Sequence, residues 1–265
     1  MHDDSHESPH ASVQDLVVPA VLLRAARTPW SELVHVYVAH GPTVAFTSRD
    51  LRSPGIGRAV TIARHLGFEA VVRSPGGRMV AYDSGAVVID HLTRTSGLRG
   101  AGKDVFARNA ASHAEVLHGI GGLDARVGEV EGEYCPGRYS VNVAGQVKII
   151  GSAQRVVSTG TLFSTVVQVA VSDRVRAVIV AVSEALGYPL RVGTIGGLTD
   201  HVPTLTSSGV AAAFAADYRE RLAMTDGEIP SAALTHAATA AGAGDGPPFH
   251  VEAWTRAHPL SETYG

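Results

Sequence analysis

The chain has 265 residues, 45% of them hydrophobic and 18% charged, and its 22 Lys and Arg against 25 Asp and Glu leave a formal net charge of −3. One large globular core fits this length, and the near-neutral balance excludes a surface given over to nucleic-acid phosphates. No apolar run reaches the roughly 18–20 residues of a membrane span, the acidic start MHDDSHESPH is unlike a secretory signal, and a lone cysteine, Cys135, excludes an internal disulfide and a cysteine-rich zinc site. A cytoplasmic protein that binds neither membrane nor nucleic acid is expected.

Residues 1–12 carry His2, His6 and His10 among acids and serines without apolar periodicity, and read as a flexible arm with at most weak metal binding. The folded domain is expected over 13–227. LVHVYVAH (33–40) and TVAFTS (43–48) are rich in β-branched and aromatic residues and meet at Gly41-Pro42, the pattern of a strand pair around a turn. Helical spacing of Ile56, Val60, Ala63 and Leu66 predicts a helix over 55–67 that stops at Gly67. Strands are expected at 69–74 and 79–90, flanking Pro75-Gly76-Gly77, with a helix over 103–120 and a hairpin over 139–151 turned at Ala144-Gly145. A helix over 173–187 is opened by Ser172 or Asp173 and ended by Gly187, and a last one covers 210–223. Residues 228–265 include an Ala/Gly run with little to bury and are expected to be a disordered tail. Strand runs joined by turns, with helices between the groups, predict a largely antiparallel sheet with helices packed on it.

Four segments hold polar or glycine positions that a plain core does not require. In Arg73-Ser74-Pro75-Gly76-Gly77-Arg78 the paired glycines permit positive φ and close approach of a ligand to the backbone, and the arginines suit an anionic or carbonyl-rich group. Pattern alone favours a plain turn with solvated arginines there. Glu133-Tyr134-Cys135-Pro136-Gly137-Arg138 sets the only thiol in a turn before a strand, where a nucleophile at a site mouth would sit and where an incidental cysteine also can. Lys148 stands among apolar strand residues and faces either solvent or a site; an inward ammonium near Cys135 would favour its thiolate. His40 is a candidate general base or a solvated loop histidine. No HxxE or HExxH spacing marks a metal site, no GxSxG marks a serine hydrolase, and GxxxxGK[ST] is absent.

Taken in order, HGPTVAF, SRDLRSP, VVRSPGG, EYCPGRYSVN and the following QVKIIGSAQR resemble the biotin and lipoate protein ligase superfamily over about residues 33–168. Within it they resemble most the octanoyl-(glycine-cleavage H protein):protein N-octanoyltransferases, cysteine-dependent amidotransferases. The resemblance implies an α+β fold of class II aminoacyl-tRNA synthetase type, with a mixed, mostly antiparallel sheet. By matching positions it implies Cys135 as the acyl-thioester cysteine and Lys148 as the strand lysine. Arg73, Gly76 and Gly77 then line the acyl site, and His40 and Gly151 are further substrate-side candidates. Pro75 replaces a small hydroxyl residue, Val88 an Asn, and Gly151 to Arg155 is worded more like the ligases. The implied partners are lipoyl-domain proteins, namely the glycine-cleavage H protein and 2-oxoacid dehydrogenase E2 subunits, or an acyl carrier protein, with no cofactor. Two alternatives stay open: an ATP- and magnesium-dependent lipoate-protein ligase, and a non-catalytic lipoyl-domain binding protein.

Overall fold

The computed structural model describes residues 11–25, 28, 30–94, 103–242 and 251. Helix α1 (Ala11–Arg24) leads into β1 (Glu32–Val38) and β2 (Thr43–Phe46), then α2 (Ile56–His65), β3 (Glu69–Val72), β4 (Val80–Tyr82) and β5 (Ala86–Thr93). After α3 (Lys103–Gly121) come β6 (Ala125–Val127), β7 (Val141–Val143), β8 (Val147–Val157) and β9 (Gly160–Gln168), and the helices α4 (Asp173–Ala185), α5 (Ser207–Arg221) and α6 (Ser231–Gly242) follow. Six strands form one antiparallel sheet in the order β1-β5-β9-β8-β7-β6, and three form a second, β3-β2-β4, with β2 parallel to β3 and antiparallel to β4. The architecture is the expected mostly antiparallel α+β one. Among the described residues, no helix is long and apolar enough to cross a membrane.

The central strands explain the layering. Strand β5 reads AVVIDHLT with no polar alternation, because both its faces are covered. Ala86, Val88 and Leu92 point into a core shared with α1, α2, α4 and the small sheet, whereas Val87 and Ile89 point into a second core with Phe214 and Tyr218 of α5 and Leu117 of α3. Helix α4 is opened by Ser172, whose Oγ accepts from the Val175 N–H at 3.2 Å, and is followed by Gly187 at φ +71. The 139–151 hairpin turns at Ala144 (φ +55) and Gly145 (φ +72), the two left-handed residues of a type I′ turn.

The structure departs from the sequence reading in four places. The segments around Gly41-Pro42 do not pair: β1 joins β5 in the large sheet while β2 is the middle strand of the small one. All four residues of β2 are buried, so it needs neighbours on both edges, which a two-stranded hairpin does not supply. The run 79–90 likewise splits into β4 and β5 at Asp83, whose Oδ1 accepts from the Gly85 N–H at 2.9 Å. Helix α1 was not announced by the pattern, and Pro19 lies inside it. Residues 231–242 of the expected tail form α6, which packs on α1 with Ala237 fully buried; alanine is the strongest helix former, and its small side chain permits close helix contact. Of the expected arm at 1–12, residues 11 and 12 open α1, while 1–10 with their histidines lie outside the described residues, as do 243–250 and 252–265.

Asp90 lies beneath α1, its Oδ2 3.3 Å from the Tyr37 hydroxyl. Burial, aided by the nearby Asp15, pushes its carboxyl up to about 7. Unfolding releases it to a value near 4, so this group favours the folded state below that pH and opposes it increasingly as pH rises to 7. Asp90→Asn keeps the neutral form. Thermal melts should show a Tm gain of roughly 5 °C at pH 8 that shrinks toward zero at pH 4; a gain independent of pH would contradict this assignment.

Candidate active site

Two loops from different sheets meet at one cavity. The first joins β3 to β4. Arg73 folds back over it, its Nη2 donating to the carbonyls of Gly76 and Arg78 at 3.0 Å each, and Gly77 takes φ +102. The loop is pinned from below by Asp50, a fully buried residue that accepts from the Thr47 N–H at 2.7 Å and the Tyr188 hydroxyl at 2.7 Å. The Thr47 hydroxyl, 2.8 Å from Asp50 Oδ2 and 3.0 Å from the Gly77 carbonyl, joins the two. Burial and Asp50 raise the Tyr188 phenol to about 12, so it remains a donor at neutral pH.

The second loop is the Cys135 turn before β7. Glu133, 1% exposed, anchors it: Oε2 accepts from the Val130 N–H at 3.0 Å, while Oε1 accepts from the Gly137 N–H at 3.0 Å and the Ser140 hydroxyl at 2.6 Å. Lys148, 2% exposed, reaches the same Oε1 at 3.0 Å and also donates to the carbonyls of Tyr134 (3.0 Å) and Cys135 (2.6 Å). A β-bulge directs this lysine inward: Val141 pairs with Ile150 and Asn142 with Lys148, leaving Ile149 as the extra residue. Gly151 leaves the room it needs, since a Cβ there would lie 3.1 Å from Lys148 Cε.

Gripped in this way, Cys135 has φ +44, unusual for a residue with a side chain and costing about 1–2 kcal/mol. Its Sγ accepts from the Arg78 N–H at 3.2 Å and lies 3.8 Å from Arg73 Nη2. The half-buried thiol lines a cavity of about 400 Å³ whose walls include Val80, Phe106, Ala153 and Val166. Phe106 is held by edge contact with Phe163 (4.9 Å between centroids) and stacking on Tyr139 (5.8 Å). The arrangement is a thiol nucleophile, donors around it, and an apolar slot behind.

Of the residues singled out from the sequence, Cys135, Lys148, Arg73, Gly76, Gly77 and Gly151 all line this cavity. His40 does not; its Nδ1 is 2.6 Å from Asp15 Oδ1, on the α1 side of the molecule. The expected meeting of Lys148 with the thiol takes another form. The ammonium grips the Cys135 carbonyl, and no hydrogen bond links it to Sγ among the described residues. Glu133, Asp50 and Tyr188 were not read as functional. Glu133 carries a signal in retrospect: an acid two residues before the thiol and four before a glycine N–H, in a turn otherwise without charge until Arg138.

No family model matches the chain. It is 29% identical over 213 residues to an octanoyl-GcvH:protein N-octanoyltransferase of Geobacillus kaustophilus, a match covering 78% of this chain and 72% of that protein. A protein of the same name from Exiguobacterium sibiricum is 32% identical over 143 residues, 53% of this chain and half the length of that relative. Among solved structures, a lipoate-protein ligase A bound with ATP superposes with a TM-score of 0.69 at 17% identity, over 90% of this chain and 94% of that one.

Two substitutions test the geometry. Lys148→Met leaves the Glu133 carboxylate buried without its counter-charge and should cost roughly 3–5 kcal/mol in chemical denaturation; a loss below about 1 kcal/mol would mean that the pair behaves as an exposed one. Gly77→Ala meets both a forbidding φ and contacts of 3.1 Å with Arg73 Nη2 and Cys135 Sγ. It should slow iodoacetamide alkylation of Cys135 at pH 7 by roughly 3–10-fold as the thiol moves off its donors, and an unchanged rate would separate Gly77 from the thiol.

Proposed function

We propose that the chain is a member of the biotin and lipoate protein ligase superfamily, a reading supported by its similarity to the octanoyltransferases and by the shared fold, and that it moves an octanoyl or lipoyl group to a lysine of a lipoyl-domain protein through a thioester on Cys135. The observation that carries this reading is the Cys135 Sγ, which accepts from the Arg78 N–H at 3.2 Å at the mouth of a partly apolar cavity of about 400 Å³. The names of the relatives point to GcvH as one such partner; E2 subunits and an acyl carrier protein are further acceptor and donor classes of the same chemistry. A cytoplasmic setting suits a free thiol and such partners.

In the first half-reaction the Cys135 thiolate attacks the acyl carbonyl of the donor. The S–C bond forms, the bond to the donor sulfur or nitrogen breaks, and the leaving group takes up a proton. In the second, the amine of the acceptor lysine attacks the thioester; a C–N bond forms, the S–C bond breaks, and the thiolate returns as the amine loses a proton. One difficult exchange thus becomes two easier ones. The N–H groups of Gly76 and Gly77 make no hydrogen bond among the described residues and suit the oxyanion of each tetrahedral intermediate. Lys148 keeps the Cys135 carbonyl turned away from the reacting centre. All three of its donors have acceptors in the free enzyme, so a proton from it would come only after one of those contacts is released. Neither half-reaction has a phosphate step, and the reaction is expected to proceed without ATP.

Incubation with an octanoyl donor in the absence of ATP should add the acyl mass to the intact protein, and neutral hydroxylamine should remove it. Cys135→Ser and Cys135→Ala should lose both adduct and transfer. Full transfer by Cys135→Ala, or strict dependence on ATP and magnesium with free octanoate or lipoate as substrate, would replace this reading with the ligase one. Stable lipoyl-domain binding without any adduct or transfer would leave a binding protein.

A further inference from the structure

We infer that Glu133 is a positioning residue for the nucleophile, acting through the Cys135 turn and Lys148 to hold the thiol against its hydrogen-bond donors. This rests on the acyl-thioester reading only in taking Cys135 as the group that matters. The carboxylate is 1% exposed and collects four donors: the N–H groups of Val130 and Gly137, the Ser140 hydroxyl and the Lys148 ammonium, at 2.6–3.0 Å. The two backbone donors lie on either side of Cys135 in sequence, so accepting from both closes the chain into a ring that contains it. The remaining bonds of the ammonium run to the carbonyls of Tyr134 and Cys135. Both peptide groups flanking the left-handed Cys135 are therefore tied through Lys148 to a single carboxylate.

What this achieves is a matter of direction. A residue at φ +44 has little intrinsic preference for that state and would relax if the ring opened. Its Sγ would then swing away from the Arg78 N–H at 3.2 Å and Arg73 Nη2 at 3.8 Å, the two donors that favour a thiolate. The other charged and titratable groups around it are Lys148 and Glu133, paired to each other on the carbonyl side, the buried phenol of Tyr134, and Arg138, which lines the same cavity beside Tyr139. A change in the charge of Glu133 would act on the thiol through space with the opposite sign, because a lost carboxylate leaves the Lys148 charge unbalanced and favours the thiolate. Position and charge can thus be told apart.

Glu133→Asp separates them: the charge stays, but a side chain one methylene shorter cannot span four donors. Cys135 is the only cysteine of the chain, so alkylation by iodoacetamide reports on it alone. The midpoint of the alkylation rate against pH should rise by at least about half a pH unit in folded Glu133→Asp, with the rate at pH 7 falling roughly threefold. A midpoint unmoved or lowered, with the far-UV circular dichroism of the wild type, overturns the inference. Should that variant fail to fold, Ser140→Ala takes one donor from the same carboxylate without touching charge, and the same two outcomes apply. Alkylation needs no acyl transfer. A wild-type chain that forms no acyl adduct would defeat the proposed reaction and leave this test standing.

Discussion

The ion pair between Glu133 and Lys148 is the constraint around which the site is built. Two charges taken out of water are costly, and their attraction repays this only when every remaining donor and acceptor is used. Here they are. The ammonium has three donors and three acceptors, one the carboxylate and two the carbonyls of the nucleophile turn, and the carboxylate receives four donors from separate points along the chain. A network satisfied so completely has one arrangement, and that arrangement includes the left-handed Cys135.

The division of the strands into two sheets explains why a site forms where it does. The Arg73 to Arg78 loop belongs to the small sheet and the Cys135 turn to the large one, so the thiol and its donors come from elements of two sheets that share one core. Neither loop makes the site alone. Arg78 supplies an N–H because Gly77 has a φ that glycine tolerates, and Thr47 with Asp50 secures the Gly77 carbonyl on the far side of the same peptide group. Between the sheets, Val80 of β4, Ala153 of β8 and Val166 of β9 leave a gap that Phe106 of α3 closes, which is how an apolar slot comes to open beside a polar mouth.

Much of this was legible before the structure. Periodicity located α2, α3, α4 and α5 and the β7–β8 hairpin, because each has either a half-exposed helical face or a turn whose residues demand positive φ. It failed where burial is complete. TVAF and VAY have no polar alternation, so nothing in them says which strand lies beside them, and the Gly41-Pro42 turn suggests a pairing between segments that belong to different sheets. The Ala-rich α6 reads as a tail in the sequence because alanine offers little area to bury, although it offers helix propensity and close approach instead. In the site, motif order brought together six of the seven residues named. His40 was the exception, since a histidine next to a turn looks the same whether it faces a cavity or, as here, Asp15. Glu133 is inconspicuous in the sequence for a physical reason: two of its four partners are backbone N–H groups, which a sequence does not display, and Ser140 and Lys148 reach it only through the fold.

The placement of Lys148 also decides which charge the thiol feels. A carboxylate 3.0 Å from the ammonium turns that charge into half of a dipole, whose field falls off faster with distance than that of a lone charge. Arg73 has no carboxylate partner among the described residues; its contacts are carbonyls and Sγ, and its charge stays uncompensated 3.8 Å from the sulfur. The guanidinium is therefore the charge beside Cys135 that no carboxylate pairs among the described residues, with the Arg78 N–H adding a directional bond to the sulfur. Lysine and arginine have divided the work by their chemistry. The compact ammonium, with three donors to place, fixes the backbone, and the planar guanidinium, which cannot lose its proton, holds the field.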